Sequence, residues 1–470
     1  MKKYAMKFKE EVPKYVQIAR HIKNLIDTDV IKNEEKLPPI RELAKYLNVN
    51  SDTIVAAYRK MKSEGYAYLK MGSGTYAKKK DAYTSLKRDY SNIFKKMDGR
   101  SEEGYIDFAE ENPCGEYFPI ENFKNVIDEV LVRDGLDALV YQEALGYIGL
   151  RSSISDFLWN KTVDEDRIII VSGAQQGIDI ISKAIVNVND NVVIEKPTYS
   201  GALSLFKWRR ANIFEVDMEE DGININQFEK ILKKNYIKCF YTMTYFQNPT
   251  GISYSINKKK EILRLAEKYD FYIIEDDYLS EIQYNDKFEY RSFKSLDTKD
   301  RVIYIKSFSK IFLPGIRIGY LIMPSLLQEQ IENSKITTDI STSSLMQRAL
   351  DLYIRKGYWR SYIAKINSMY RARYYYMHEK LEDILGNKVE ISDPKGGFSF
   401  YLKIKDNVEN NCVDLFYSCK KKKVLITPGV FFYKNNDDGL KYFKIGFSKA
   451  NESEILKGIG VINNILGMDV

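Results

Sequence analysis

The sequence has little histidine and little cysteine, and this scarcity argues against several kinds of chemistry. Two histidines, His21 and His378, occur in 470 residues, which disfavours Ser-His-Asp hydrolysis and histidine-bound metal. The four cysteines show no C-x-x-C spacing, which disfavours a zinc site and the disulfide framework of a secreted protein. We therefore expect reduced, structural cysteines and no metal site.

Long apolar runs are also missing. No stretch approaches the ~20 apolar residues that a membrane helix needs. The first residues, MKKYAMKFKEEVPKY, are charged and lack the apolar centre of a secretory signal. The sequence thus predicts a cytoplasmic protein that does not enter a membrane. Because a single hydrophobic core stops growing at roughly 250 to 300 residues, we expect two or three domains.

Positive charge is concentrated at one end of the chain. Residues 1–100 carry 23 Lys and Arg against 12 Asp and Glu, whereas the remainder carries 49 against 53. A basic end joined to a slightly acidic remainder favours a polyanionic partner for that end alone. The alternative is a lysine-rich surface that only promotes solubility, and composition leaves both interpretations open.

Periodic apolar residues predict three short helices near the start of the chain. Tyr15 to Ile26 carries a helical stripe that includes Val16, and IRELAKYLNV follows two prolines that suit a helix start. SDTIVAAYRKMKSEGY has Ser51 or Asp52 as its N-cap and Gly65 as its stop. Next, YAYLKMGSGTYA places two strand-like runs around a Gly-Ser-Gly turn, which predicts a hairpin. Three helices and a hairpin in this order are typical of a winged helix-turn-helix.

The run from Leu37 to Ala77 resembles the winged helix-turn-helix of GntR-type bacterial regulators, with a match over about residues 12–78. The resemblance implies that double-stranded DNA is a partner, with the third helix in the major groove and the hairpin at the neighbouring groove or backbone. Ser51 departs from the family's usual arginine, so a different operator reading is expected. A winged domain that binds protein instead is the alternative. The residues implied to contact DNA are Arg41, Ser51, Asp52, Thr53, Tyr58, Arg59, Gly72, Ser73 and Gly74.

Many charges and no sustained periodicity mark the segment 79–103. We interpret it as a linker with a helical turn in its middle. The predicted organisation is a DNA-binding domain over 1–78, this linker, and a second domain over 104–470.

Beyond residue 165 short apolar runs alternate with helical ones, which predicts an α/β domain with a largely parallel sheet covered on both faces. In such sheets ligands bind beyond the carboxyl ends of the strands. Four polar segments follow predicted strands at that edge: Gly173-Ala174-Gln175, Asn248 to Gly251, Asp276-Asp277-Tyr278, and Ser307 to Lys310.

The first and last of these segments could hold a phosphate and a reactive amine. Gly173-Ala174-Gln175 opens a helix, whose free N–H groups can cradle a phosphate. Ser307, Ser309 and Arg317 could complete that cradle, since a guanidinium grips two phosphate oxygens. Lys310, desolvated near Arg317, should lose its proton readily and attack an aldehyde.

The other residues suit a pyridine ring. Asp276 can pair with a protonated ring nitrogen, Tyr278 and Asn248 can hydrogen-bond a phenolic oxygen, and Tyr199 can stack on the ring face. Together these groups fit pyridoxal 5′-phosphate. Each residue alone has an ordinary alternative, because Asp276 could be a helix cap, Tyr199 a core residue and Arg317 a surface charge.

The region from about Tyr105 to Val470 resembles fold-type I aminotransferases of class I. SFSKIFLPGIRIGY, FQNPTG, IIEDDY, VSGAQQ, PKGGFSFY and LITPGVFF occur in the family's order. The resemblance implies a pyridoxal-phosphate-dependent domain with a mostly parallel sheet and a smaller C-terminal α+β subdomain. It also implies that Lys310 attaches the cofactor and that Tyr141 reaches the partner subunit's phosphate in a homodimer. The implied cofactor-binding residues are Gly173, Ala174, Gln175, Tyr199, Asn248, Asp276, Tyr278, Ser307, Ser309, Lys310, Arg317 and Tyr141.

The whole chain resembles the MocR subfamily of bacterial transcription regulators, in which a GntR-type domain precedes an aminotransferase-like domain. The resemblance implies a regulator of amino-acid, amine or vitamin B6 metabolism that senses a small amino compound or vitamin through the cofactor. The rival hypothesis is an active aminotransferase. Lys444 stands where class I enzymes carry an arginine for the substrate carboxylate, which disfavours efficient catalysis. Gly201 offers no cation for a second carboxylate. A third interpretation, a scaffold without cofactor, disagrees with the complete set of cofactor residues.

Overall fold

The computed structural model describes residues 1–10, 12–28, 30–70, 72–78, 83–96, 104–141, 143–284, 290–339 and 341–467. The chain divides into two compact units, Met1–Gly99 and Arg100–Val470. Of the segment interpreted as a linker, 79–82 and 97–103 lie outside the described residues. The domain boundaries given above therefore stay predictions.

The N-terminal unit is the winged helix-turn-helix that the sequence predicts. Its core joins the helices to the hairpin through buried apolar residues that include Ile22, Leu43, Ile54 and Ala77. Ile18 rather than the predicted Val16 lies on the buried face of the first helix. The elements are α1 (Lys14–Asp27), α2 (Ile40–Leu47), α3 (Ser51–Ser63), β1 (Ala67–Lys70), β2 (Gly74–Ala77) and α4 (Tyr83–Lys96).

The start and end of α3 are set by local hydrogen bonds. Asn50 is the N-cap, because its side-chain oxygen accepts from the N–H of Asp52 at 3.0 Å. The sequence prediction of Ser51 or Asp52 as the cap is wrong, since asparagine caps as well as either and stands one residue earlier. Gly65 lies just beyond the helix with a φ of +78°, a left-handed conformation that ends a helix without the steric cost a side chain would bring.

Tyr58 lies in the core of the N-terminal unit. It is 6% exposed, and its hydroxyl donates to the carbonyl of Pro38 at 2.8 Å. The predicted contact of Tyr58 with DNA stays a prediction, and the structure shows a core role for this side chain. Its position on α3 falls on the same buried face as Ile54 and Met61, because residues three and four apart share one side of a helix.

A 14-residue helix, α4, occupies part of the segment that the sequence analysis interpreted as a linker. The analysis allowed only one helical turn there, so the helix is longer than predicted. Leu86 and Ile93, which are both buried, stand seven residues apart and supply the apolar spacing of a helix. The dense charges between them obscured this pattern.

The second unit is built on an eight-stranded sheet of order β4-β11-β10-β9-β8-β5-β6-β7. Strands β10, β9, β8, β5 and β6 run parallel, whereas β11 lies antiparallel between β10 and β4. Every residue of β4, β8, β10 and β11 is buried, so both faces of the sheet are covered, as predicted. The strands are β3 (Ile106–Asp107), β4 (Ile168–Val171), β5 (Asn191–Lys196), β6 (Asn212–Glu219), β7 (Gly222–Ile223), β8 (Cys239–Thr242), β9 (Tyr272–Asp277), β10 (Val302–Ser307) and β11 (Gly319–Ile322).

Helices connect these strands and cover the sheet. The predicted helices after β4, β5 and β8 are present as α7, α8 and α10. The helices of this part are α5 (Ile120–Asp134), α6 (Ile148–Ser153), α7 (Ala174–Ile185), α8 (Ser200–Trp208), α9 (Ile225–Leu232), α10 (Ile256–Tyr269), α11 (Phe293–Leu296), α12 (Gln328–Thr338) and α13 (Ser344–Arg355).

The C-terminal part forms the smaller α+β subdomain that the sequence analysis expected. A four-stranded antiparallel sheet has the order β12-β13-β16-β15, and β14 pairs with β3 in parallel. No helix within the described ranges is both long enough and apolar enough to cross a bilayer. The elements are α14 (Tyr358–Leu385), β12 (Val389–Ile391), β13 (Ser399–Ile404), α15 (Cys412–Lys421), β14 (Val424–Leu425), β15 (Thr427–Pro428), β16 (Tyr442–Gly446) and α16 (Glu452–Leu466).

Candidate functional site

The parallel strands bring most of the predicted site residues to one edge of the large sheet. Strands β4, β5, β8, β9 and β10 share one direction, since β11 is antiparallel to both β10 and β4. Their carboxyl ends therefore lie at the same edge. Gly173 follows β4, Tyr199 follows β5, and Asp276 and Ser307 end β9 and β10. The sheet thus gathers residues that are far apart in the sequence.

Asp276 is a buried carboxylate that has only one hydrogen-bond donor among the described residues. It is 2% exposed. Its Oδ2 accepts from the hydroxyl of Tyr241 at 2.7 Å, while its Oδ1 has no partner in the described parts of the chain. Burial raises the pKa of Asp276 to about 7, and the neighbouring charge of Asp277 adds to the effect. Oδ1 can therefore accept a hydrogen bond from a ligand, most favourably a cationic one.

Tyr241 has no signal in the sequence that marks it as a site residue. This residue lies on β8, which pairs with β9 so that Tyr241 stands opposite Ile274. Tyr241 is fully buried among apolar neighbours, and in the sequence it looks like any other aromatic residue of a core strand. Only the pairing of β8 with β9 makes it the donor to Asp276.

Gly173 and Arg317 form a narrow cradle at the start of α7. Gly173 is the N-cap of α7 with a φ of +89°. A Cβ at this position would come within 2.8 Å of Nη2 of Arg317. That guanidinium nitrogen also donates to the carbonyl of Ser172 at 3.0 Å. The free N–H groups of a helix start and an exposed guanidinium here face the same small space, which suits an anion.

Two serines and a glutamine complete this side of the site. Ser307 and Ser309 are both buried. The hydroxyl of Ser309 has no partner within the described residues. Gln175 accepts a hydrogen bond from the hydroxyl of Tyr199 at 3.0 Å, which fixes the tyrosine ring beside Asp276. A Cβ on Gly201 would lie 2.5 Å from the Tyr199 ring, so this glycine keeps the ring in place.

The amine of Lys310 lies in a charged environment. Its Nζ donates to Oδ1 of Asn112 at 3.2 Å. Burial lowers the pKa of Lys310, Glu111 opposes that shift, and Lys444 adds to it. The sequence analysis predicted that Arg317 would act on this amine, but the cations with the largest influence are Lys444 and Lys449. A lysine with a lowered pKa is a better nucleophile at neutral pH.

Lys444 is paired with a carboxylate that the sequence analysis missed. Its Nζ lies 2.9 Å from Oε2 of Glu111, and the side chains of both residues are 5% exposed. Asn248 bridges the pair, because its Oδ1 accepts from Lys444 at 3.1 Å and its Nδ2 donates to Glu111 at 3.4 Å. Burial alone would raise the pKa of Glu111, but the charges of Lys444 and Lys310 bring it below its ordinary value.

No local signal in the sequence points to Glu111. It lies more than three hundred residues before Lys444 in the sequence, in a segment without a recognisable catalytic spacing. The pairing arises because the segment after β3 and strand β16 meet in the fold, where Gly446 donates its N–H to the carbonyl of Phe108 at 2.6 Å.

Tyr278 and Tyr141 differ in where they lie. Tyr278 is buried at the sheet edge, and its hydroxyl donates to the carbonyl of Phe246 at 3.1 Å. Tyr141 is 79% exposed, so a single chain does not bring it into the cluster. Its predicted role across a subunit interface stays a prediction.

The predicted DNA contacts lie on the N-terminal unit. Arg41, Asp52 and Arg59 are exposed, whereas Ser51 and Thr53 are half-buried at the start of α3. In the hairpin, Gly72 has a φ of +72°, and the hydroxyl of Ser73 lies 2.6 Å from that of Tyr76. Gly74 begins β2. All of these except Tyr58 are placed where a ligand of this unit could reach them.

Comparisons with known proteins match both units. The family described as "Aminotransferase class I and II" matches residues 103–462, and "Bacterial regulatory proteins, gntR family" matches residues 14–77. The HTH-type transcriptional regulator YdfD of Bacillus subtilis is 28% identical over 97% of this chain and 97% of its own. Aromatic-amino-acid aminotransferase 1 of Thermococcus litoralis is 29% identical over 74% of this chain and 84% of its own. The solved kynurenine aminotransferase of Pyrococcus horikoshii, in complex with PMP, has a TM-score of 0.75 and 29% identity, and covers 80% of this chain and 94% of its own.

The burial of Asp276 predicts a pH-dependent loss of stability. Because burial raises its pKa from 3.8 to about 7, the folded chain holds this proton more tightly than the unfolded chain does. The stabilising effect is complete below about pH 4 and is lost as the pH rises through 7, by up to roughly 4 kcal/mol. With no ligand added, the wild type should therefore lose more thermal stability between pH 5 and pH 8 than Asp276→Asn.

Asp277→Asn is the matched control. Lys306 and two tyrosines outweigh burial and lower the pKa of Asp277, so its contribution changes only below about pH 4. Because the charge of Asp277 contributes to the raised pKa of Asp276, the loss of stability of Asp277→Asn between pH 5 and pH 8 should be smaller than that of the wild type but larger than that of Asp276→Asn. Equal curves for the wild type and Asp276→Asn would contradict the analysis of Asp276.

Proposed function

Because the chain belongs to the class I and II aminotransferase family and is a MocR-type fusion with a GntR regulator domain, we propose that it controls transcription in response to an amino compound. The N-terminal unit binds double-stranded DNA, and the second unit binds pyridoxal 5′-phosphate. A regulator of this kind acts in the cytoplasm, on genes of amino-acid, amine or vitamin B6 metabolism.

The observation that carries this proposal is the unsatisfied oxygen of Asp276, at the sheet edge beyond which Lys310 also lies. Burying a carboxylate oxygen without a hydrogen-bond donor costs free energy. A protonated ring nitrogen would supply the missing donor. Gly173 and Arg317 offer a phosphate cradle at the same edge, and the Ser309 hydroxyl offers a further hydrogen bond. The kynurenine aminotransferase with the same fold was solved with PMP. The residues present thus fit the cofactor.

Each of the protein's own groups at this site would have a separate role. When bound, pyridoxal phosphate supplies an aldehyde that condenses with primary amines and a ring that withdraws electrons. Lys310 provides the amine that holds the aldehyde and can accept or return a proton at its Nζ. Asp276 would keep the ring nitrogen protonated, Tyr199 could stack on the ring, and Arg317 would hold the phosphate.

The response to a ligand follows from linkage. An amino compound shifts the protein between two states only as far as its affinities for those states differ.

We propose that the protein is a homodimer in which Tyr141 contributes to the site of the other subunit. Val132, Leu136 and Leu139 are exposed apolar side chains in the same region as Tyr141, which supports an interface there.

Attachment of the cofactor to Lys310 can be tested by absorbance and by peptide mapping. The wild type mixed with pyridoxal phosphate should turn yellow, and Lys310→Ala should stay colourless. After borohydride reduction, mass spectrometry should find the added mass on Lys310. Lys306 is an internal control in the same peptide region, because Asp277 and Glu281 pair with its amine. Modification of Lys306, or a colourless wild type, would contradict the proposed site.

DNA binding can be tested with two adjacent residues of α3. Arg59 is exposed and Tyr58 is buried, so Arg59→Ala should weaken binding to the DNA upstream of the protein's own gene while Tyr58→Phe retains it. We expect a loss of roughly tenfold and a salt slope reduced by about one. Fluorescence anisotropy at several salt concentrations measures both. Equal effects of the two substitutions would contradict the proposal. So would a wild type that binds no DNA at low salt.

A working aminotransferase is the second candidate, favoured by the presence of Lys310, Asp276 and Arg317 in one cluster. The test mixes the cofactor-loaded protein with amino acids and amines plus 2-oxoglutarate and measures keto-acid release. Turnover of roughly 1 s⁻¹ or faster, as in ordinary enzymes, would favour the enzyme. Spectral changes without turnover would favour the regulator, which is the outcome we expect.

A further inference from the structure

The lysines that act on Lys310 already have acidic partners. Lys444 pairs with Glu111 at 2.9 Å. Lys449 pairs with Glu110 and, at 3.4 Å, with Asp107. These carboxylates therefore compensate the positive charge that would otherwise attract an anionic group of a ligand beside the reactive amine.

The Glu111–Lys444 pair is held in place by several elements of the fold. Glu111 Oε1 accepts from the hydroxyl of Ser399 on β13 at 2.6 Å, and Lys444 lies opposite Tyr401 in the neighbouring strand pairing. Asn248, in the loop after β8, contacts both members of the pair. Separating two buried and hydrogen-bonded charges leaves each without compensation, which is strongly unfavourable. A ligand carboxylate would thus find Lys444 engaged.

We infer that the amino compound sensed at this site is a primary amine without a carboxylate on the carbon that bears the amino group. This inference rests on the proposed function, because it assumes that the compound's amino group comes to the position of Lys310 Nζ. An α-amino acid would bring its carboxylate into the neighbourhood of Glu111, where like charges repel. An amine with the same side chain has no such group. Glu111 thereby selects against amino acids by repulsion rather than for amines by attraction.

The experiment compares compounds that differ only by the carboxylate. The protein loaded with pyridoxal phosphate is titrated with tyramine and tyrosine, and with agmatine and arginine. Dissociation constants come from the absorbance change and, independently, from the shift in melting temperature. We expect the amine of each pair to bind at least about tenfold more tightly than the amino acid, a difference of roughly 1.4 kcal/mol.

Glu111→Gln is the informative variant. It keeps the shape of the side chain and can still accept the Ser399 hydrogen bond, but it releases the charge of Lys444. The ratio of amine affinity to amino-acid affinity should fall by at least about tenfold. Glu110→Gln is the matched control, since it removes the same charge one residue earlier while Lys449 keeps Asp107 as a partner. Its ratio should stay close to that of the wild type.

Each result of these titrations either supports or overturns the inference about the ligand. Preference for amino acids in the wild type, or an unchanged ratio in Glu111→Gln, would overturn the inference while leaving the proposed cofactor site intact. Should Glu111→Gln not fold, Glu111→Gln with Lys444→Gln removes both charges together, and its ratio should also fall because the repulsion is gone. A wild type without a cofactor band in the absence of any amine would overturn the proposed function and this inference with it.

Discussion

The site depends on the burial of one carboxylate in the middle of a parallel sheet. Asp276 is the last residue but one of β9, which lies between β8 and β10. It is 2% exposed, so water does not stabilise its charge. Among the described residues its one donor is the neutral hydroxyl of Tyr241. A protein that only needed stability would place an apolar side chain here or pair the acid with a cation. The free-energy cost of burying the Asp276 carboxylate is offset when a ligand provides the missing hydrogen-bond donor. The directions of the strands place the other groups around that ligand.

The two adjacent aspartates of β9 illustrate how neighbouring positions acquire opposite properties. Side chains alternate along a strand, so Asp276 and Asp277 point to different sides of the sheet. Asp277 meets Lys306 at 3.0 Å and the hydroxyl of Tyr304 at 2.7 Å, and these partners outweigh burial to lower its pKa. No cation in the described parts of the chain contacts Asp276 directly, and burial outweighs the more distant charge of Lys306 to raise its pKa. Lys306 lies within β10 and pairs with Asp277 and Glu281, whereas Lys310 lies three residues beyond the end of that strand.

Much of the fold could be predicted from the sequence because its signals are local. The apolar runs of β4, β5, β8, β9 and β10, the helix starts and the hairpin turn are each encoded within about ten residues, and most of the predicted site residues follow directly from their strands. Adjacent residues that can all cap a helix caused some errors. Asn50, for example, caps α3 instead of the predicted Ser51. The burial of Tyr58 could not be predicted, because family likeness names a position without saying whether its side chain packs in the core.

The site's decisive charges could not be predicted, because they depend on contacts between distant segments. Glu111 and Tyr241 are unremarkable in the sequence, yet they set the environments of Lys444 and Asp276. Viewed in the sequence alone, Lys444 is a weakened substitute for an arginine. In the fold it is a cation whose charge Glu111 has already neutralised.

This difference bears on whether the domain works as an enzyme or as a sensor. An enzyme must bind the transition state more tightly than the substrate, which requires a rigid hold on the substrate beside the reacting atoms. A sensor needs only a difference in affinity between two states. A site whose carboxylate-binding cation is committed to its own chain lacks one such hold, but it can still recognise an amine by its condensation chemistry and by the repulsion of competing acids. On the proposed function, the Glu111–Lys444 pair occupies one cation that catalysis would use, and the ligand-dependent switching of a sensor does not need that cation.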